Sequence, residues 1–459
     1  MRYDRITLGF APCAALDVHS EEALVWREKI MRILAGLGVQ TIDIRQTAGL
    51  DFICTRQEAV RAGQSLRDAH VDGVFYPVFG RDAALAPLAA READCPSLLW
   101  SERTSAQIED GLHLTRDACG VFESAKVFRR LAAAYTSIPS CFAESEEFER
   151  GLRVFCGACA ARRALSQLRI LQIGPCEENA AALDANEGEL LRRFGVQVVS
   201  VSLSVLKDDM DAVLYKQGAD WAATRAMILR KMDCGFVPES VVDKIAAMKL
   251  AIMRLCEEYA CGAVIIAATE GMRRTMDIYP GAAAGLLTEE GIPVVCGADV
   301  CGAISSVILS AAAQGASSSA FFARIAARSP KNERAVLLYD EGGVPVSLAS
   351  EVAPPVLGEG PEHDGCFGCG QWRLKEGAMT LCRFDGENGA YRLFAMETHT
   401  CEGPAADGTY AWIDIDWEIL EKTLLAGGYA PRFACIYAQA IPVLKELCRY
   451  LDIAADMEA

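Results

Sequence analysis

Two acidic residues, Glu270 and Asp299, follow short apolar runs that read as neighbouring buried strands. The first run, Cys261 to Ala268 (CGAVIIAA), leads into Thr269-Glu270-Gly271. The second, Ile292 to Cys296, leads through Gly297 and Ala298 to Asp299, after which a long small-residue helix is predicted. A carboxylate where a parallel strand meets its helix sits at the carboxyl edge of a sheet, the edge on which open α/β folds build their sites. Two such carboxylates can hold one divalent cation or divide proton-transfer work between them. Solvated acids at strand ends have the same appearance, because strand ends are commonly polar.

Other candidates are more local. Asp340-Glu341-Gly342-Gly343 follows a predicted strand, Val336 to Tyr339, and places two acids at a turn. A pocket wall and a solvated turn both fit that pattern. Arg432 precedes the apolar run Phe433 to Tyr437, as a surface cation or as an anion ligand. Cys366-Phe367-Gly368-Cys369 is a CxxC, but no second ligand pair follows at zinc spacing. There is no glycine-rich phosphate loop after a strand and no serine nucleophile elbow. The five histidines include no helical pair suited to zinc.

The elements that must position these residues alternate. Strands are predicted at Arg5 to Phe10, Val39 to Ile44, Val71 to Val78 and Ser97 to Trp100, with helices at Glu21 to Leu37 and Gln57 to Ala69. A second series runs from the strand Arg169 to Ile173, through the helix Asn186 to Phe194 and the strand Val196 to Val201, to the helix Ser240 to Tyr259. Strands separated by helices of this length indicate parallel sheets. Beyond residue 330 the pattern becomes short strands with glycine-rich turns, with little helix before Ile441 to Leu451. The expected fold is therefore α/β: two doubly wound parallel-sheet units followed by a β-rich C-terminal barrel-like domain. The expected boundaries are 1–165, 166–330 and 331–459.

Composition narrows the class. In 459 residues, 52% are hydrophobic and 23% charged, as in globular proteins with large cores. The net charge of −17 disfavours nucleic acid and anionic membranes as partners. The stretch Val300 to Ala323 lacks charge, but its serines and glycines suit a buried helix and loop better than a membrane span. The nineteen cysteines are dispersed, many in apolar runs where a thiol acts as a small hydrophobe. No secretory signal pattern opens the chain, so a cytoplasmic location is expected.

The order of segments resembles the L-fucose isomerase-like family, relatives of bacterial fucose and arabinose isomerases. The resemblance is carried by VDGVFYPVFGRD (71–82), PSLLW (96–100), NEGELLRRFGVQVVSVSLSVL (186–206), GIPVVCGADVCGAISSVILSAAAQG (291–315) and GQWRLKEGAMTLCRF (370–384). It implies an aldose–ketose isomerase that uses a divalent cation, usually Mn2+. In the family, two acids and a late histidine hold the metal against two adjacent sugar oxygens, and acids move a proton between C1 and C2 through an enediol. By matching, Glu270 and Asp299 take the catalytic and metal-ligand positions. The resemblance also implies a homo-oligomer.

Three positions depart from the family pattern. Gly297 stands where the family carries Glu, Asp340-Glu341-Gly342 where many members carry His-Cys-Gly, and Arg432-Phe433 where the late His-His stands. Arginine has no lone pair to offer a cation. Arg432, Asp340 and Glu341 are accordingly expected to bind substrate, which is a small sugar, polyol or sugar acid. The alternative is a catalytically altered or non-catalytic sugar-binding homologue that has lost its third metal ligand.

Overall fold

The computed structural model describes residues 6–14, 21–79, 85–103, 116–175, 181–267, 270–313, 319–360 and 365–458. Arg5, Ala268 and Thr269, which entered the sequence reading, lie outside them, as do residues 80–82 and 314–315 of the quoted segments. The chain forms two compact units, one of residues 3–163 with 449–452, the other of 164–448 with 453–459.

The first unit holds β1 (Thr7–Phe10), β2 (Cys13–Ala14), β3 (Gln40–Asp43), β4 (Gly73–Phe79), β5 (Ser97–Trp100) and β6 (Thr136–Ser137). Their order is β3-β1-β4-β5-β6, all parallel, with β2 added against β4. The order reverses direction beside β1, which makes the sheet doubly wound. The helix Arg56–Asp68 begins with a reciprocal capping box between Thr55 and Glu58. It lies so close to the next helix that a Cβ on Gly63 would stand 2.3 Å from the Ala89 carbonyl oxygen.

The second unit begins with another parallel sheet. It comprises β7 (Arg169–Ile173), β8 (Gln197–Val201), β9 (Ala263–Ile266) and β10 (Val294–Cys296), in the order β10-β9-β7-β8. This repeats the winding of the first sheet. The buried strands AVII and VVC carry the apolar runs expected of a covered parallel sheet.

The remaining strands are β11 (Phe321–Arg328), β12 (Ala335–Asp340), β13 (Val356–Glu359), β14 (Phe367–Arg373), β15 (Ala378–Glu387), β16 (Ala390–Cys401), β17 (Thr409–Asp414), β18 (Arg432–Ile436) and β19 (Ala454–Glu458). Six of them, in the order β17-β12-β11-β18-β15-β16, close through the β16–β17 pairing into an antiparallel barrel. β14 and β13 extend it beyond β17, and β19 lies parallel to β16. Closure removes the sheet edges that would otherwise invite pairing with other chains.

The two parallel sheets and the barrel match the expected fold class. Two details differ from the sequence reading. The first barrel strand, β11, starts at Phe321, ahead of the expected boundary at 331 and inside a stretch read as helix and loop. Its sequence, FFARIAAR, is alanine- and arginine-rich, and its partners on β12 and β18 override that local helical preference. A helix, Trp417–Gly427, also precedes Ile441–Leu451, capped by Asp416 at one end and by left-handed Gly428 at the other. Among the described residues no helix is long and apolar enough to cross a membrane.

Candidate active site

β12 illustrates how period-2 patterning places functional groups. Val336 and Leu338 enter the large core that the second sheet shares with the barrel, whereas Ala335, Leu337 and Tyr339 pack with Tyr410 and Trp412. Asp340 continues the parity of Val336 and Leu338. Burial therefore raises its carboxyl pKa to about 7, the Gly343 N–H hydrogen bond opposes that rise, and the neighbouring Glu341 charge adds to it. The bond from the Gly343 N–H also fixes the turn.

Glu341, the other member of this acid pair, is half-buried. It accepts a hydrogen bond from the Tyr279 hydroxyl and lies 3.6 Å from an Arg324 guanidinium nitrogen. The Tyr279 phenol pKa is raised by burial and by Glu341, so the phenol keeps its proton and remains a donor. Tyr279 is itself held by backbone: its N–H donates to the Phe367 carbonyl at 2.7 Å. The cleft beside Glu341 is lined also by Tyr339, Glu359, Cys369, Gln371 and Asp407. Cys369 and Cys296 have thiol pKa values pushed up by burial and by the Asp340 and Glu341 charges, so they stay neutral near those acids.

Two arginines stand across from each other near this cleft. Arg324 on β11 and Arg432 on β18 are directly opposite in the antiparallel register, with their side chains on one face. Arg324 lies over the Tyr339 ring, 5.2 Å from its centroid. Arg432 is half-buried, and its guanidinium has no ion-pair or hydrogen-bond partner among the described residues. It reaches the end of β10: a Cβ on Gly297 would stand 3.0 Å from an Arg432 nitrogen. Like charges directly opposite on a sheet repel. Glu341 pairs with Arg324, and no carboxylate among the described residues pairs with Arg432, which leaves room for an anion there.

Glu270 and Asp299 follow the carboxyl ends of β9 and β10, which are adjacent and parallel. Their side chains are engaged differently. Glu270 opens the helix Glu270–Met276, is 67% exposed and pairs with Arg274 one turn on. Asp299 is fully buried. One of its oxygens caps the helix Val300–Ala312 by accepting from the Gly302 N–H at 2.7 Å, and the other accepts from Arg383 at 2.6 Å. Arg383 is 1% exposed and also donates to Asp385 at 3.0 Å. Burial pulls the Arg383 pKa down, but Asp299 and Asp385 outweigh it and hold the guanidinium charged. Among the described residues no three His, Cys, Asp or Glu side chains group so as to hold a metal ion. Both Asp299 oxygens are engaged and Glu270 offers at most one ligand, so this donor set does not fit the Mn2+ the resemblance implies.

Tyr279, Arg324 and Arg383 were absent from the sequence candidates. Tyr279 lies in an ordinary-looking Ile-Tyr-Pro-Gly loop, and Arg324 is hidden by the helix-like composition of β11. Tyr279 meets Glu341 only through the fold, and the β15–β18–β11 pairing brings Arg383 and Arg324 into one sheet.

The Asp340 environment carries a stability signature. An unfolded aspartate titrates near about 3.9, so between about pH 4 and pH 7 the folded state holds a proton that the unfolded chain has released. Stability from this group thus falls as pH rises through that window, by at most about 1.4 kcal/mol per pH unit. In urea unfolding from pH 4 to 8, Asp340→Asn should remove that downward component. An unchanged slope would show that Asp340 is not desolvated.

Comparison with known proteins follows the same lines. Residues 18–166 match the family of fucose/sulfoquinovose isomerase N-terminal domains. Sulfoquinovose isomerases of Priestia aryabhattai and Priestia megaterium are each 21% identical over 454 residues, covering 97% of this chain and 98% of their own. Together these matches support the fucose isomerase-like family, with residues 18–166 carrying the family match. Its likeness to a solved glucose-galactose binding protein, GanP of Geobacillus stearothermophilus, is slight: 13% identity and a TM-score of 0.16 over 62% of this chain and 82% of that one.

Proposed function

We propose that this fucose isomerase-like protein interconverts the aldose and ketose forms of a sugar that carries an anionic substituent. The observation that carries this reading is the unpartnered, half-buried Arg432 guanidinium directly opposite Arg324, which in turn faces Glu341. An anion beside Arg432 would offset the repulsion between the two cations and would be held by charge-assisted hydrogen bonds. The Priestia relatives are named for sulfoquinovose, whose sulfo group is such an anion.

In this reading Glu341 is the proton carrier. Its carboxylate takes the proton from C2 of the aldose as the C1–C2 double bond forms and the electron pair moves onto O1. Glu341 then returns the proton to C1, while the O2 hydroxyl proton passes to O1 and C2 becomes the carbonyl carbon. Tyr279 orients Glu341 through its hydrogen bond. Arg324, beside Glu341, stands where the negative charge of the enediolate develops. Asp340 keeps the turn in place through Gly343. The chain works in this account as a homo-oligomeric enzyme, as the family resemblance implies, and in the cytoplasm, as its dispersed cysteines suggest.

Titration calorimetry with sulfoquinovose and with a neutral hexose tests the anion assignment. Arg432→Met should weaken sulfoquinovose binding by about ten- to a hundredfold, the worth of a hydrogen bond to a charged group. Neutral sugar binding should be untouched. Equal losses for both sugars, or no loss for either, would refute a specific role for Arg432. Unaltered sugar binding in every variant of this cleft, with no turnover, would favour the non-catalytic alternative.

A further inference from the structure

We propose that this chain works without a bound divalent cation, and that the Arg324–Arg432 pair supplies the positive charge at its site. The placing of that charge rests on the reading of the Glu341 cleft given above, whereas the absence of a metal requirement rests on separate residues. Gly297, at the end of β10, and Arg432, on β18, share one space. In the fold the Arg432 guanidinium occupies the space that a side chain at 297 would need: even a Cβ would lie 3.0 Å from it. Loss of a side chain at one position makes room for the cation at the other. The backbone of Gly297, at φ +126°, also lies where side chains are rarely tolerated.

The remaining acids agree with this. Asp299 lies two residues beyond Gly297, but its two oxygens are taken by a backbone N–H and by Arg383. A cation drawn to Asp299 would have to displace a buried guanidinium and leave it without its counter-charge, while itself meeting a positive charge at close range. Glu270, exposed and paired with Arg274, offers at most one ligand. An arginine pair also needs no loading: it is part of the chain and is fixed in register by β11 and β18.

Metal content decides the first part without reference to turnover. Full-length protein purified without chelator, then equilibrated with manganese and desalted, should carry far less than one manganese per chain by plasma emission spectrometry. Saturating manganese should leave its Tm within about 1 °C of the chelator-treated sample, since a ligand that binds the native state raises Tm. Arg432→His should not acquire stoichiometric manganese, because Asp299 stays paired with Arg383. Stoichiometric manganese in the wild type, lost in Glu270→Gln or not, would overturn the proposal. Calorimetry tests the second part. Chelator-treated protein should bind sulfoquinovose as tightly as protein given manganese, and binding that appears only with manganese would overturn the proposal. Failure to bind in both conditions, with no metal present, would instead strike the anionic-sugar reading and leave the metal-free claim standing.

Discussion

Replacing Glu341 with Gln is expected to slow interconversion of an anionic aldose and its ketose by about a hundred- to ten-thousand-fold, the usual contribution of a positioned acid–base group. Gln is close to isosteric, keeps an oxygen to accept from Tyr279 and cannot carry a proton between carbons. The loss should therefore fall on kcat, with KM little changed and Tm within a few degrees. Tyr279→Phe should have a smaller effect, because it removes the group that orients Glu341 and leaves the carboxylate. Asp340 is less suited to the carrier role, since its carboxyl is buried, half-neutral near pH 7 and tied to Gly343. If Glu341→Gln retained turnover within a factor of about two, the proton carrier would have to be sought elsewhere.

The second large effect concerns stability. Asp299→Ala is expected to destabilise the second unit by about 3–5 kcal/mol, because Arg383 would remain buried with its main counter-charge removed. Loss of the cap on Val300–Ala312 adds about 1 kcal/mol to that cost. The double variant Asp299→Ala, Arg383→Leu should recover much of the loss, since an apolar pair of similar volume is often as stable as a buried ion pair. Urea unfolding of the single and double variants reads both numbers. A single variant within about 1 kcal/mol of wild type would mean that Asp299 is free for other work, which would revive it as a ligand.

That prediction also marks the limit of what the sequence reveals. The strand-to-helix junctions at Glu270 and Asp299 were legible, because apolar runs ending at an acid before a helical pattern are local signals. The engagement of Asp299 was not, because its partner Arg383 is 84 residues away on a barrel strand. Arg432 was conspicuous as a cation ahead of an apolar strand, but its meaning came from register: only the β11–β18 pairing sets it against Arg324, and only the approach of β10 to the barrel sets it against Gly297. Asp340 and Glu341 were visible as adjacent acids at a turn. Strand parity then divides them, sending Asp340 toward the core and Glu341 to the cleft. β11 itself was lost to its alanine-rich composition, and with it Arg324.

Exchange at C2 in heavy water, followed by proton NMR, tests the central claim most directly. Incubated with wild-type protein in D2O, sulfoquinovose should give a ketose carrying deuterium at C1, and the aldose recovered at equilibrium should lose its C2–H signal, because the proton on Glu341 exchanges with solvent during enediol formation. The same sugar with Glu341→Gln should keep that signal over the same period, and chelator should make no difference to the wild type. Equal exchange in wild type and Glu341→Gln, or exchange abolished by chelator and restored by manganese, would contradict an arginine-assisted site built on Glu341.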